Sequence, residues 1–411
     1  MVTYPQEWTE KPFNDFMKIK RGASPRPIER YLTSSTDGVN WIKIGDAPRF
    51  GKYITSTAEK ITPHGAAQSV SVYPGDFILS NSMSFGRPYI LNIDGCIHDG
   101  WLRLYDFQAE ANDEFLYYLL SSSYVQKQYE AFAAGSGVQN LNKEVVKKVT
   151  VHLPSLPEQE EIARTLSQFD TYIDDLAELI EKKRGVRAGA LEELLSGETR
   201  LDGFSDNWVE VPLVSVLREK IKIGPFGSQL KKDTLVRTGD YKVYGQENVY
   251  RRNFIIGDRY LSRTHFEYLQ SCEIKAGDFL MSTMGTIGKC AIAPKNLQKG
   301  IMDSHLIRFR INEKKLSTAY LLQLYSDNYS YLSEQTAKLA VGGIMDGLSV
   351  GIAKQLTVRM PVDITEQEAI ANTLTAMDEE IEALEIERDK MIQIREGAMD
   401  DLLTGRVRLS V

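Results

Sequence analysis

Gln159-Glu-Glu-Ile-Ala-Arg-Thr-Leu and Gln367-Glu-Ala-Ile-Ala-Asn-Thr-Leu open two stretches that are the same segment written twice. Residues 159–201 align without gaps on residues 367–409 at a constant offset of 208, with 18 identities in 43 positions. The identities include Asp170/Asp378, Gly197/Gly405 and Leu201/Leu409. A duplicated element implies internal twofold pseudosymmetry.

Both copies read as long helices with a coiled-coil seam. Ile162, Leu166, Phe169, Ile173, Leu176 and Ile180 step by alternate fours and threes, and the register then carries Lys183 and Arg187. Ile370, Leu374, Met377, Ile381, Leu384 and Met391 repeat the pattern, with Arg388 and Arg395 in the same register. This 3.5-residue period belongs to helices packed on helices. Pro157 suits a first turn, Thr365 with Glu368 resembles a capping box, and Gly197 and Gly405 suit C′ positions. About 38 residues make a rod of roughly 57 Å. Gly189 and Gly397 interrupt late turns, at about 1 kcal/mol each relative to Ala.

The segments ahead of the rods repeat more faintly. Trp8-Thr-Glu-Lys-Pro-Phe parallels Trp208-Val-Glu-Val-Pro-Leu, and Gly75-Asp-Phe-Ile-Leu-Ser parallels Gly277-Asp-Phe-Leu-Met-Ser. Gly137-Val-Gln-Asn-Leu-Asn parallels Ile344-Met-Asp-Gly-Leu-Ser. The chain therefore reads as two α+β heads, residues 1–153 and 203–360, each followed by a helix, 154–202 and 361–411. Trp41-Ile-Lys-Ile, Phe77-Ile-Leu and Leu306-Ile-Arg-Phe-Arg read as strands, and Glu114-Phe-Leu-Tyr-Tyr-Leu-Leu as a short helix.

Charge separates heads from rods. Residues 157–201 hold 11 acids and 6 bases, and residues 363–409 hold 13 acids and 5 bases. The rods thus carry −5 and −8 of a total of −7, which leaves +6 for the rest. Acidic rods with net-basic heads suit a protein that meets DNA with its heads.

At this point the sequence resembles the specificity subunits of type I restriction-modification systems over essentially its full length. Leu153-Pro-Ser-Leu-Pro-Glu-Gln-Glu-Glu-Ile-Ala and Met360-Pro-Val-Asp-Ile-Thr-Glu-Gln-Glu-Ala-Ile-Ala carry the resemblance at the entries to the rods. Arg21-Gly-Ala-Ser-Pro-Arg-Pro-Ile, Trp41-Ile-Lys-Ile-Gly-Asp and Gly224-Pro-Phe-Gly-Ser add to it. The resemblance implies a non-catalytic subunit whose heads each read half of a split duplex target, with the two helices paired antiparallel as a coiled coil that sets the unread spacer between the halves. It also implies two methyltransferase subunits, which would supply S-adenosylmethionine, and restriction or translocase subunits beside them. This chain itself is expected to hold no cofactor. A scaffold with two heads for protein ligands is the alternative.

Groove-reading side chains should be basic, amide or hydroxyl groups on loops. Four regions supply them. The first contains Lys20, Arg21, Ser24 and Arg26, and the second Ser80, Asn81, Ser82, Ser84 and Arg87. In the second head Lys222, Gly227, Ser228, Gln229, Lys231 and Lys232 lead to Tyr244, Gln246 and Asn248. Ser282, Thr283 and Lys289 form the counterpart of the serine-rich loop.

Enzymatic readings fail on spacing. No Asn- or Asp-Pro-Pro-aromatic segment occurs. Gly285-Thr-Ile-Gly-Lys lacks both the first Gly and the final Ser or Thr of a phosphate loop. Glu181-Lys-Lys lies in a rod where charge is ordinary. The five histidines show no metal-ligand spacing, and Cys96, Cys272 and Cys290 lie too far apart for a zinc motif. The polar N-terminus and the absence of about 18 consecutive apolar residues point to a cytoplasmic protein without a membrane span.

Overall fold

The computed structural model describes residues 4–48, 51–81, 86–134, 141–226, 229–285, 287–326, 328–339 and 347–410. It divides into two compact units, residues 1–177 with 386–411, and residues 178–385. Neither unit is a continuous stretch of head plus rod, because two long helices are shared between them. Helix α1 spans Leu156–Ser196 and α2 spans Ile364–Leu402.

In the first unit the start of α1 meets the end of α2. Ile162, Ala163 and Leu166 share one core with Met399, Leu402 and Leu403. In the second unit the end of α1 meets the start of α2, where Leu191, Leu194 and Leu195 pack with Ile370, Ala371 and Leu374. Start against end in both units makes the pair antiparallel. Burying each such aliphatic side chain contributes about 1.5–3 kcal/mol.

Of the expected seam, Ile162, Leu166, Leu176, Ile180, Ile370 and Leu374 are buried. Phe169, Ile173, Met377, Ile381, Leu384 and Met391 are half-buried. The basic residues in the seam register have a reason. Arg187, only 7 % exposed, places Nε 2.9 Å and Nη2 3.0 Å from the two carboxylate oxygens of Asp378. Its repeat mate Arg395 donates to Asp170 at 2.7 Å. A second duplicated pair closes the ends. Arg200 grips Glu366 through two bonds of 2.5 and 2.6 Å, and Arg408 grips Glu158, which also accepts from the Trp8 indole at 3.3 Å.

The repeated glutamine is equally structural. Gln159 receives the Asn112 amide and donates to the carbonyls of Glu110 and Pro154. Gln367 does the same with Ser317, Lys315 and Pro361. Each glutamine therefore pins a helix start to its own head.

Gly197 and Gly405 adopt φ of +78° and +69°, the left-handed conformation a helix terminus needs. Both helices run unbroken through Gly189 and Gly397. The α2 cap differs from the sequence expectation. Asp363, not Thr365, lies outside the helix, and its carboxylate accepts the Thr365 amide at 2.8 Å, a stronger acceptor than a hydroxyl.

Among the described residues, the first head holds two five-stranded sheets and the second two four-stranded ones. One sheet of the first orders Lys18–Arg21, Trp101–Tyr105, Phe77–Ser80, Pro88–Leu91 and Tyr53–Ile54. Its counterpart orders Lys222–Ile223, Leu306–Phe309, Phe279–Ser282 and Cys290–Ile292. In the other sheet, Gly95–Ile97 lies parallel to Val39–Ile42, as Gly300–Met302 lies parallel to Tyr241–Tyr244. A ribbon of Thr9–Pro12 with Thr150–Leu153 closes the first head, and Trp208–Pro212 with Thr357–Pro361 closes the second.

Candidate nucleic-acid interface

A glycine fixes the candidate surface in each head. The chain leaves the Lys18–Arg21 strand at Gly22, whose amide donates to the Trp101 carbonyl at 2.8 Å. A Cβ there would lie 2.0 Å from the His98 carbonyl oxygen. In the second head Gly224 donates to the Leu306 carbonyl at 3.0 Å, and a Cβ would lie 1.8 Å from the Asp303 carbonyl. Only glycine allows this approach, so the loop after it is held against the turn at 98–100 or 303–305.

In the first head two sequence-distant segments, residues 21–26 and Asn81, converge on Asp99. Ser24 Oγ donates to Oδ1 at 2.9 Å and Arg26 Nη2 to Oδ2 at 3.0 Å. The Asp99 carbonyl accepts from Arg21 Nε at 3.1 Å and from Asn81 Nδ2 at 2.9 Å. Burial works to raise the Asp99 pKa, but the bonds from Ser24 and Arg26 and the charge of Arg26 outweigh it and hold the carboxyl below its ordinary range. Burial pulls His98 below its usual value against the opposing pull of Asp99. A neutral ring fits its role as acceptor of the Gly100 amide, at 2.6 Å from Nδ1. Beside this cluster lies an open cavity of about 790 Å³, lined in part by Ser24, Arg26, Trp41, Lys43, Glu59 and His98.

Four of the residues singled out by sequence, Arg21, Ser24, Arg26 and Asn81, therefore meet at one point. Lys20 is exposed and lies opposite Arg103 in the sheet register. Arg87 is half-buried, with its guanidinium carbon 5.1 Å from the centre of the Tyr89 ring. Ser80 is buried. Ser82 and Ser84 lie outside the described residues.

The second head repeats the scaffold with other side chains. The Thr283 amide donates to the His305 carbonyl at 2.9 Å, as the Asn81 amide does to Gly100 at 3.1 Å. Asp303 takes Arg259 Nη2 at 3.0 Å and the His305 amide at 3.0 Å. Lys231 and Lys232 are exposed; Lys222, Gln246 and Lys289 are half-buried. The Gln229 carbonyl bonds the His265 ring at 2.9 Å. Gly227 and Ser228 lie outside the described residues.

Four expectations for the second head are corrected. Tyr244 is fully buried and its hydroxyl donates to the Gln298 carbonyl at 2.7 Å. Asn248 is also buried, accepting the Gly245 amide and donating to the carbonyls of Asn253 and Ile256. Both serve the local fold, because a polar group enclosed by the head must be satisfied there. The side chains of Ser282 and Thr283 are enclosed as well. The sequence reading missed Asp99, Asp303 and Arg259. An acid is an unpromising contact for a phosphate, and Arg259 carries no local motif.

The fold is a duplicated one, with a loop cluster in each head and no group of metal-ligating side chains among the described residues. Comparison with known proteins then gives the family. The pattern for the type I restriction modification DNA specificity domain matches residues 5–183 and again 218–392, so the chain belongs to that family. It is thus a specificity component and not the catalytic part of such a system. The MjaVIII specificity subunit of Methanocaldococcus jannaschii is 22 % identical over 422 residues, covering 98 % of this chain and 94 % of that one. The S subunit of M. genitalium superposes with a TM-score of 0.55 at 17 % identity, covering 96 % of each chain. A chain from a study of type I complex assembly and conformational transition gives 0.63 at 15 % identity, covering 99 % of this chain and all of that one. No helix among the described residues is long and apolar enough to cross a membrane.

Proposed function

We propose that this chain binds double-stranded DNA and directs methyltransferase subunits to a target in two parts, one part read by each head. The observation that carries this reading is the repeated loop cluster. The same glycine-fixed scaffold occurs in both heads, yet it presents Arg21, Ser24 and Arg26 in one, with buried Asn81 bonded beneath them to the Asp99 carbonyl, and other residues in the other. A common frame with different polar side chains is what two different half-sites require. Arg matches the O6/N7 edge of guanine, while hydroxyls hold phosphates.

The helices would set the unread spacer. Duplicated ion pairs lock their register, and rods of about 60 Å can span a separation of one DNA turn, about 34–36 Å. S-adenosylmethionine and base extrusion would belong to two partner methyltransferase subunits, and cleavage to restriction subunits. A cytoplasmic location follows from such a role.

Methylome sequencing of a host carrying the chain with its methyltransferase tests this reading. A split motif separated by a fixed number of unread base pairs is expected. Continuous or absent methylation motifs would overturn it, and duplex binding indifferent to salt would favour a protein-binding scaffold instead.

A further inference from the structure

We infer that Asp99 is a specificity-positioning residue, one that restrains Arg26 and Ser24 from indiscriminate phosphate contact and aims them at base edges. The inference rests on the DNA-binding reading above. Asp99 meets its four neighbours in two different ways. Arg21 and Asn81 bond its backbone carbonyl, which no side-chain substitution removes. Ser24 and Arg26 bond its carboxylate and depend on it.

Exposure shows what that ion pair is for. The Arg26 side chain is 79 % exposed and that of Asp99 41 %. Pairs this open add little to stability, so holding the head together is a poor account of it. Geometry supplies a better one. Asp99 holds one corner of the guanidinium through Nη2, and the rest of the fork has no hydrogen-bond partner among the described residues. A planar fork tethered at one corner retains the donors for bidentate contact with guanine O6 and N7.

Charge adds the second half of the argument. Asp99 cancels the charge of Arg26 and repels the phosphate backbone, so the arginine gains least from sequence-independent docking. The second head differs, because its paired carboxylate, Asp303, has a side chain only 8 % exposed. Asp303, one position earlier in the equivalent turn, takes Arg259 at 3.0 Å.

This predicts an unusual gain. With the full chain bound to its methyltransferase subunits, Asp99→Ala should bind a duplex lacking the target roughly three- to tenfold more tightly at moderate salt. The slope of log affinity against log salt should steepen by about one, the signature of one new phosphate contact. Discrimination should relax by roughly tenfold at one base position of the half-site read by the first head and remain unchanged in the other. Arg26→Ala/Asp99→Ala should show no such gain, because the freed cation is absent. Asp99→Asn keeps an acceptor without the charge and should fall between wild type and Asp99→Ala. It also preserves the test if Asp99→Ala fails to fold. Fluorescence anisotropy on the target duplex taken from the wild-type methylome, its single-base variants and a scrambled duplex reads all of these.

A folded Asp99→Ala complex with wild-type affinity for the scrambled duplex and an unchanged slope would overturn the inference. So would a uniform loss on every sequence, which marks a merely structural residue. A wild-type complex showing no salt-dependent duplex binding would sink the DNA-binding reading itself, a result distinguishable from either.

Discussion

Replacing Asp378 by Ala should loosen the second unit and leave the first almost untouched. The magnitude follows from the surroundings of Arg187. Its side chain is 8 % exposed and keeps two bonds to Asp378 at 2.9 and 3.0 Å and one to Gln323 Oε1 at 3.0 Å. Breaking a fully buried pair from one side costs about 3–5 kcal/mol, because the remaining charge is left without its counter-ion. Asp378 is 45 % exposed, so water enters the space its carboxylate leaves and recovers part of that cost. An expected loss of about 2–3 kcal/mol follows. In a unit of this size it lowers the melting temperature by roughly 4–12 °C. Hydrogen exchange read by mass spectrometry resolves the two units, and faster exchange should be confined to residues 178–385. Arg187→Leu/Asp378→Ala, which removes the charge together with its partner, should recover most of the loss. Wild-type protection in Asp378→Ala, or a double variant no more stable than the single one, would refute the view that Arg187 is a paired seam residue.

Other outcomes follow from the same structure. Gly22→Ala, whose Cβ would meet the His98 carbonyl at 2.0 Å, should displace the Arg21–Arg26 loop and abolish recognition of one half-site, read as loss of that half from the methylation motif. Four residues inserted after both Ala177 and Glu385 add about 6 Å of helix, and the spacer should lengthen by one or two base pairs with both half-sites kept. Exchanging residues 1–150 for those of a relative should change one half-site only; a change in both would mean that the heads read DNA as one surface. Burial depresses the His98 and His152 pKa values in the folded first unit, so the unfolded chain binds more protons as pH falls through about 6.5. Stability of that unit should therefore be full above this range and decline below it, and His98→Asn should flatten the dependence in urea titrations.

The sequence by itself determined the duplication, the two helices and their seam. Periodicity and repetition are local records, and a 3.5-residue step survives wherever the helix goes. It also placed strands at Phe77 and Leu306. Tertiary structure decided the rest. Arg187 and Arg395 stand in an apolar register, and their partners Asp378 and Asp170 lie some 200 residues away in the chain. Tyr244 and Asn248 look like groove readers in a polar segment, yet the head encloses both, because burial depends on what packs from elsewhere. Asp99 showed no signal, since its importance lies in gathering Arg21, Ser24, Arg26 and Asn81 from separate segments. Two compact units, each built from a head, half of its own helix and half of the other, are likewise a product of antiparallel pairing, because a helix start and a helix end close a core only when the chain has folded back on itself.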